Sequence, residues 1–217
     1  MAHPYYPTSL ALPLYTPAGW PSHWAYIAFG LALAAVLGAA AVVAYQVRPA
    51  LGRCERLIFL WFILSATIHL VLEGYYVVYH ASLAGRASVL AELWKEYARA
   101  DSRYLTSDGA VLGIEALTAF VEGPALLGAA YALAVRSPHR HLLQLTISLG
   151  QLYGSLVYLF TMWYDDWRYM SPHPYYFYVT FAAMNSPWVI VPVLLMTQSW
   201  RALSRAVATI TAVRKSA

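Results

Sequence analysis

LIFLWFILSATIHLVLEGYYVVY, residues 57–79, decides how the chain is read. A run of about 20 apolar residues crosses the ~30 Å hydrocarbon core of a bilayer as a helix. Within this one, only His69 and Glu73 can carry charge near neutral pH. Charge at membrane depth is costly, so an intramembrane His and Glu ask for a reason. Their four-residue spacing puts both side chains on one helix face. Taken alone, the pair is equally a self-neutralising contact or a polar bond between helices.

Composition places the rest of the chain in the same medium. Of 217 residues, 60% are hydrophobic and 11% are charged, with mean hydropathy +0.52. A soluble domain carries about 25% charged residues. The expected fold class is all-α, an integral membrane bundle of five transmembrane helices: Trp24–Tyr45, Leu57–Tyr79, Gly109–Val135, Leu142–Trp163 and Tyr175–Gln198. The organisation that follows is a lumenal N-terminal segment (1–23), a five-helix membrane domain (24–198) and a cytoplasmic basic tail (199–217). The N-terminal segment lacks Lys and Arg and has Pro at 4, 7, 13, 17 and 21, so it does not read as a signal peptide. With alternating spans, nine Lys and Arg fall on the side of the C-terminus and five on the other. This bias predicts a cytoplasmic C-terminus. The basic excess therefore reads as topology, and no nucleic-acid partner is expected. A lone Cys54 excludes an intramolecular disulfide and a cysteine metal cluster. Leu90, Leu93, Trp94 and Tyr97 in the long connector have helical spacing, predicting a short helix lying at the membrane interface.

Other spans add polar groups. Glu115 and Glu122 are two turns apart on the third span, with Thr118 between them. Gly123-Pro124 predicts an irregularity beside Glu122. Asn185 and Trp188 share a face of the fifth span. Gln144, Gln151, Tyr153 and Tyr158 lie on the fourth, where the glutamines read as helix-packing bonds. Asp165-Asp166 reads as a solvated turn in preference to a catalytic pair. A metal reading is poor, because the Glu-x-x-His spacing of di-iron bundles is absent. Acids, an imidazole, an amide and an indole at membrane depth suit transient cation chemistry on an apolar substrate. One acid protonates an alkene or epoxide, an aromatic face steadies the cation, and a base removes another proton.

HLVLEGYY (69–76), LWKEYARADSRY (93–104), Glu115-x-x-Thr118 with Gly-Pro at 123–124, LLQLTISLGQLYGSLVY (142–158) and HPYYFYVTFAAMNSPWVIVP (173–192) together resemble the emopamil-binding protein family. The resemblance implies a sterol cavity open to the membrane and the activity of the endoplasmic-reticulum sterol Δ8–Δ7 isomerase, with no cofactor and no metal. On the matching positions, the catalytic residues are His69, Glu73, Glu115, Asn185 and Trp188, and Thr118 contacts substrate. Glu122, Tyr104 and Tyr153 are further expected substrate contacts. Implied partners are a sterol or isoprenoid substrate, cationic amphiphilic ligands and membrane lipid, with a homodimer as the candidate assembly. Glu122 departs from the isomerase pattern, in which the animal enzyme carries a bulky aromatic residue. Cyclisation of a terpenoid or meroterpenoid prenyl chain is the alternative activity, and non-catalytic sterol or drug binding is the third.

Overall fold

A computed structural model describes residues 3–19, 21–47, 49 and 51–216. Met1, Ala2, Trp20, Arg48, Ala50 and Ala217, which belong to the N-terminal, first-connector and tail readings above, lie outside the described residues. All regular structure among the described residues is helical. Five helical stretches are long and apolar enough to span a membrane: Trp24–Gln46, Arg53–Gly85, Gly109–Ala134, Arg140–Tyr164 and Tyr176–Lys215. Helices suit this medium because they satisfy their own backbone hydrogen bonds. Outward-facing Leu31, Val42, Leu149 and Leu194 are at least half exposed, as lipid-facing side chains are.

The first span is α1 (Ser22–Val47). The second consists of α2 (Arg53–Thr67), a π-helical turn (Ile68–Glu73) and α3 (Gly74–Tyr79). A short α4 (Val89–Tyr97) follows in the connector. The third span repeats the pattern of the second, with α5 (Gly109–Leu117), a π turn (Thr118–Glu122) and α6 (Gly123–Ala134). The fourth is the unbroken α7 (Arg140–Tyr164). The fifth opens with a π stretch (Tyr176–Ala183) and continues as α8 (Pro187–Ser216). Pro187 has no N–H to give the Ala183 carbonyl, and the Ser186 hydroxyl donates to that carbonyl instead, at 3.0 Å.

Two apolar clusters hold the bundle. One joins Phe59, Phe62, Leu126, Leu133, Ile147 and Leu195 toward the C-terminal end. The other, at the opposite end, joins Tyr5, Tyr76, Trp94, Tyr104, Tyr158 and Phe181. The π turns of the second and third spans meet between them. Gly123 permits that approach, since a Cβ there would lie 2.8 Å from Leu70 Cγ.

Three features go beyond the sequence expectations. The connector helix α4 forms as expected, and the protein covers its polar face as well as its apolar one. Its Glu92 and Lys95 are buried and paired at 2.8 Å. The cause is the N-terminal segment, which folds back over α4. Thr16 N–H donates to the Ala84 carbonyl at 2.9 Å, Lys95 donates to the Thr16 carbonyl at 3.2 Å, and Ser102 donates to the Tyr6 carbonyl. Tyr5 is 3% exposed. The segment is therefore part of the folded unit. Lastly, the basic tail expected after Gln198 continues α8 without a break to Ser216.

Arg103 fastens this cap to the bundle. Fully buried, it donates to both Asp101 oxygens and, at 2.8 Å, to Thr161 on α7. Asp165 sits 4.0 Å from it and pairs with Arg168 at 3.0 Å, while Asp166 and Trp167 turn the chain with positive φ. The acidic pair thus belongs to a structural turn. Removing one partner of a buried ion pair strands the other charge. Arg103→Leu should cost about 3–5 kcal/mol of stability, read as a lower unfolding midpoint in detergent, whereas Arg168→Leu, at the exposed pair, should shift it little.

Candidate active site

A cavity of about 210 Å³ lies between the two apolar clusters. Its walls come from every span, including Tyr26 and Phe29 of α1. Most of the lining is apolar, and the polar groups concentrate at the π turns. A π turn inserts one extra residue and recurs at functional sites. Here the inserts bring His69 and Glu73 on one span opposite Thr118 and Glu122 on the next.

Glu73 is the centre of the network. One of its carboxyl oxygens, Oε2, lies 2.7 Å from His69 Nδ1 and accepts the Thr118 hydroxyl hydrogen bond. A carboxylate partner fixes the Nδ1–H tautomer of a neutral imidazole. His69 Nε2 is then an acceptor, and the Gln151 amide nitrogen approaches it at 3.2 Å. Both ring nitrogens of a side chain only 2% exposed are thereby engaged.

Glu115, also buried, accepts a short hydrogen bond from the Tyr104 hydroxyl. Burial, reinforced by the neighbouring Glu115 charge, pushes the Tyr104 phenol well above its ordinary pKa, so it remains a donor. Its ring stacks on Trp94 at 4.5 Å and meets Tyr97 edge-on at 5.3 Å. Asn185 reaches the same group by donating to the Tyr97 hydroxyl at 2.9 Å. Trp188 faces the His69 ring at 6.3 Å and Trp61 at 5.6 Å. Its indole N–H is buried without a partner, as are Glu115 Oε2, Glu122 Oε2 and Gln151 Oε1.

All but one of the expected site residues line this cavity. Tyr153 is the exception. It is 69% exposed, because the residues of α7 that face inward are Gln151, Gly154, Ser155 and Tyr158, and a side chain two positions from Gln151 points away. Both glutamines bridge helices as expected: Gln144 donates to Gln198 Oε1 at 2.7 Å, and Gln151 joins the fourth span to the second through His69, inside the site. Tyr97, Tyr158, Trp94 and Tyr26 join the site without having been expected there. The seven-residue step from Gln151 to Tyr158 is the available signal for one of them. Among the described residues, no three His, Cys, Asp or Glu side chains converge as metal ligands would.

The cavity sets an imidazole, three carboxyls, an amide and an indole around one apolar space, among them groups able to donate and accept protons. Similar sequences are found among known proteins. A family model described as EXPERA, the expanded EBP superfamily, matches residues 89–199. The 3-beta-hydroxysteroid-Delta(8),Delta(7)-isomerase of Cavia porcellus is 37% identical over 204 residues, covering 91% of this chain and 87% of the relative. A probable enzyme of the same name from Oryza sativa is 33% identical over 94% of this chain and 93% of the relative. The protoglabretal synthase of Citrus sinensis is 40% identical over 150 residues, 69% of this chain and 71% of the relative. The chain is a member of the expanded EBP superfamily.

Proposed function

We propose that the protein is a cofactor-free isomerase that moves a sterol ring double bond from Δ8 to Δ7 inside the membrane. The observation that carries this reading is the unbroken Thr118–Glu73–His69–Gln151 hydrogen-bond chain along one wall of an apolar cavity. The Glu115–Tyr104 pair, on the same cavity, provides a second proton-handling group. The relatives named as Δ8,Δ7-isomerases, matching over nine-tenths of the chain, support it.

The steps balance without a net proton. Carrying one proton more than the carboxylate–neutral imidazole state, the Glu73–His69 pair donates H⁺ to one alkene carbon, whose π pair becomes the new C–H bond. The positive charge left on the other carbon meets the Trp188 face, an interaction worth up to ~2 kcal/mol when desolvated. Glu115 accepts a proton from the next ring carbon, and that C–H pair becomes the new double bond. Tyr104 and Asn185 hold the accepting end in place. An apolar cavity keeps water from capturing the cation. A cationic amphiphile imitates this charge on a greasy body and would compete for the cavity. The same proposal places the protein in the endoplasmic-reticulum membrane with its C-terminus cytoplasmic, which protease protection of a C-terminal tag on sealed microsomes checks. Relatives named protoglabretal synthase favour a second reading, the same cation chemistry applied to closing a terpenoid ring.

Turnover in deuterated water separates the two. A Δ8-sterol supplied to membranes containing the protein should give a Δ7 product carrying one new deuterium. No conversion of the sterol, with ring closure of an epoxidised prenyl substrate, would replace the first reading with the second.

Glu73→Gln and Glu115→Gln keep side-chain volume and should each lower kcat about 10²–10⁴-fold, with unfolding midpoints near that of the wild type. Full activity in both would remove them from the mechanism. Gln151→Leu leaves His69 Nε2 without its donor and should lower kcat on the order of tenfold with KM little changed.

A further inference from the structure

The isomerisation uses Glu73, His69 and Glu115, and it leaves Glu122 without a role. Glu122 lines the same cavity from the end of the third-span π turn. Its carboxyl is seated against the backbone of Gly150, so closely that a Cβ on that residue would collide with it. A glycine on α7 therefore makes room for a carboxyl on the neighbouring span. The next residue, Gln151, spends its amide nitrogen on His69. Glu122 Oε2 and Gln151 Oε1 are both buried, and neither has a hydrogen-bond partner. Two buried acceptors that line one cavity without a protein donor are expensive unless a donor arrives with the ligand. The ring hydrocarbon offers none, and the single O–H of a mono-ol can satisfy only one of the two acceptors. Glu122 stands seven residues from Glu115, roughly 10 Å along the helix. The donor it awaits is therefore at a distance from the carbon that Glu115 serves.

We propose that Glu122, seated on Gly150 and flanked by Gln151, forms a second polar subsite that takes an additional hydroxyl group of the substrate, so that the preferred ligand is a diol of the sterol or triterpenoid class. This rests on the sterol-type reading above for the substrate's skeleton, but it requires no turnover.

Binding is the measurement. The protein in nanodiscs is titrated with a 3β-hydroxy-Δ8-sterol and with a panel of the same sterol carrying one further ring or side-chain hydroxyl. The wild type should bind at least one diol about tenfold more tightly than the mono-ol. Glu122→Leu should bring that ratio close to one. Gly150→Ala, which keeps the carboxyl and displaces it, should do the same. Glu122→Gln retains an acceptor and should keep part of the preference, which shows that the loss in Glu122→Leu is not a loss of fold. The proposal is overturned if no diol is preferred, or if the preference survives Glu122→Leu. Isomerisation of the mono-ol without a diol preference would leave the isomerase reading standing and remove the subsite. A diol preference without isomerisation would do the reverse.

Discussion

A carboxyl group inside a bilayer must be given partners, and the structure is organised around one that is. Glu73 receives His69 from its own helix and Thr118 from the next, so one oxygen joins the second and third spans. That junction requires both helices to loosen into π turns at the same depth, and it requires small residues where they cross. Gly123 and the turn before it follow from the need to bring two polar side chains within bonding distance through a wall of apolar ones. The polar arrangement and the helix packing are consequently one problem with one solution.

The site joins two polar groups. The imidazole and its carboxylate form one. A phenol, a carboxyl and an amide form the second beside it, with members from the connector, the third span and the fifth. The Trp188 indole, set against His69 and Trp61, has a buried N–H without a partner. Arg103 and Asp101 tie the connector that carries Tyr97 and Tyr104 to α7, so an ion pair in the cap sets the position of groups facing the cavity.

Much of this is legible from residue types and spacing. Five apolar runs are enough for the bundle, because hydropathy and helix length are coupled by membrane thickness. The His69–Glu73 face can be read because the i, i+4 relation is local. Glu115, Thr118, Asn185 and Trp188 can be named, but their contacts cannot, since each depends on which helix lies opposite. Tyr153 misleads for that reason: an unbroken helix in lipid shows little polarity difference between its faces, and the inward side of α7 becomes visible only once α5, α6 and α8 are in place. Gln144 and Gln151 look alike in sequence and do different work. The burial of Glu92 and Lys95 is hidden because the strap covering them is more than seventy residues away in the chain.

That strap has a consequence for how the molecule comes to exist. Its carbonyls and N–H groups bond to Ala84, Glu92, Lys95 and Ser102, and Tyr5 enters a core completed by Tyr158 and Phe181. A segment that leaves the ribosome ahead of every span therefore has no finished place to go until the fifth span has been inserted. Biogenesis completes the cap with residues made early, and the strap is among the last parts to settle.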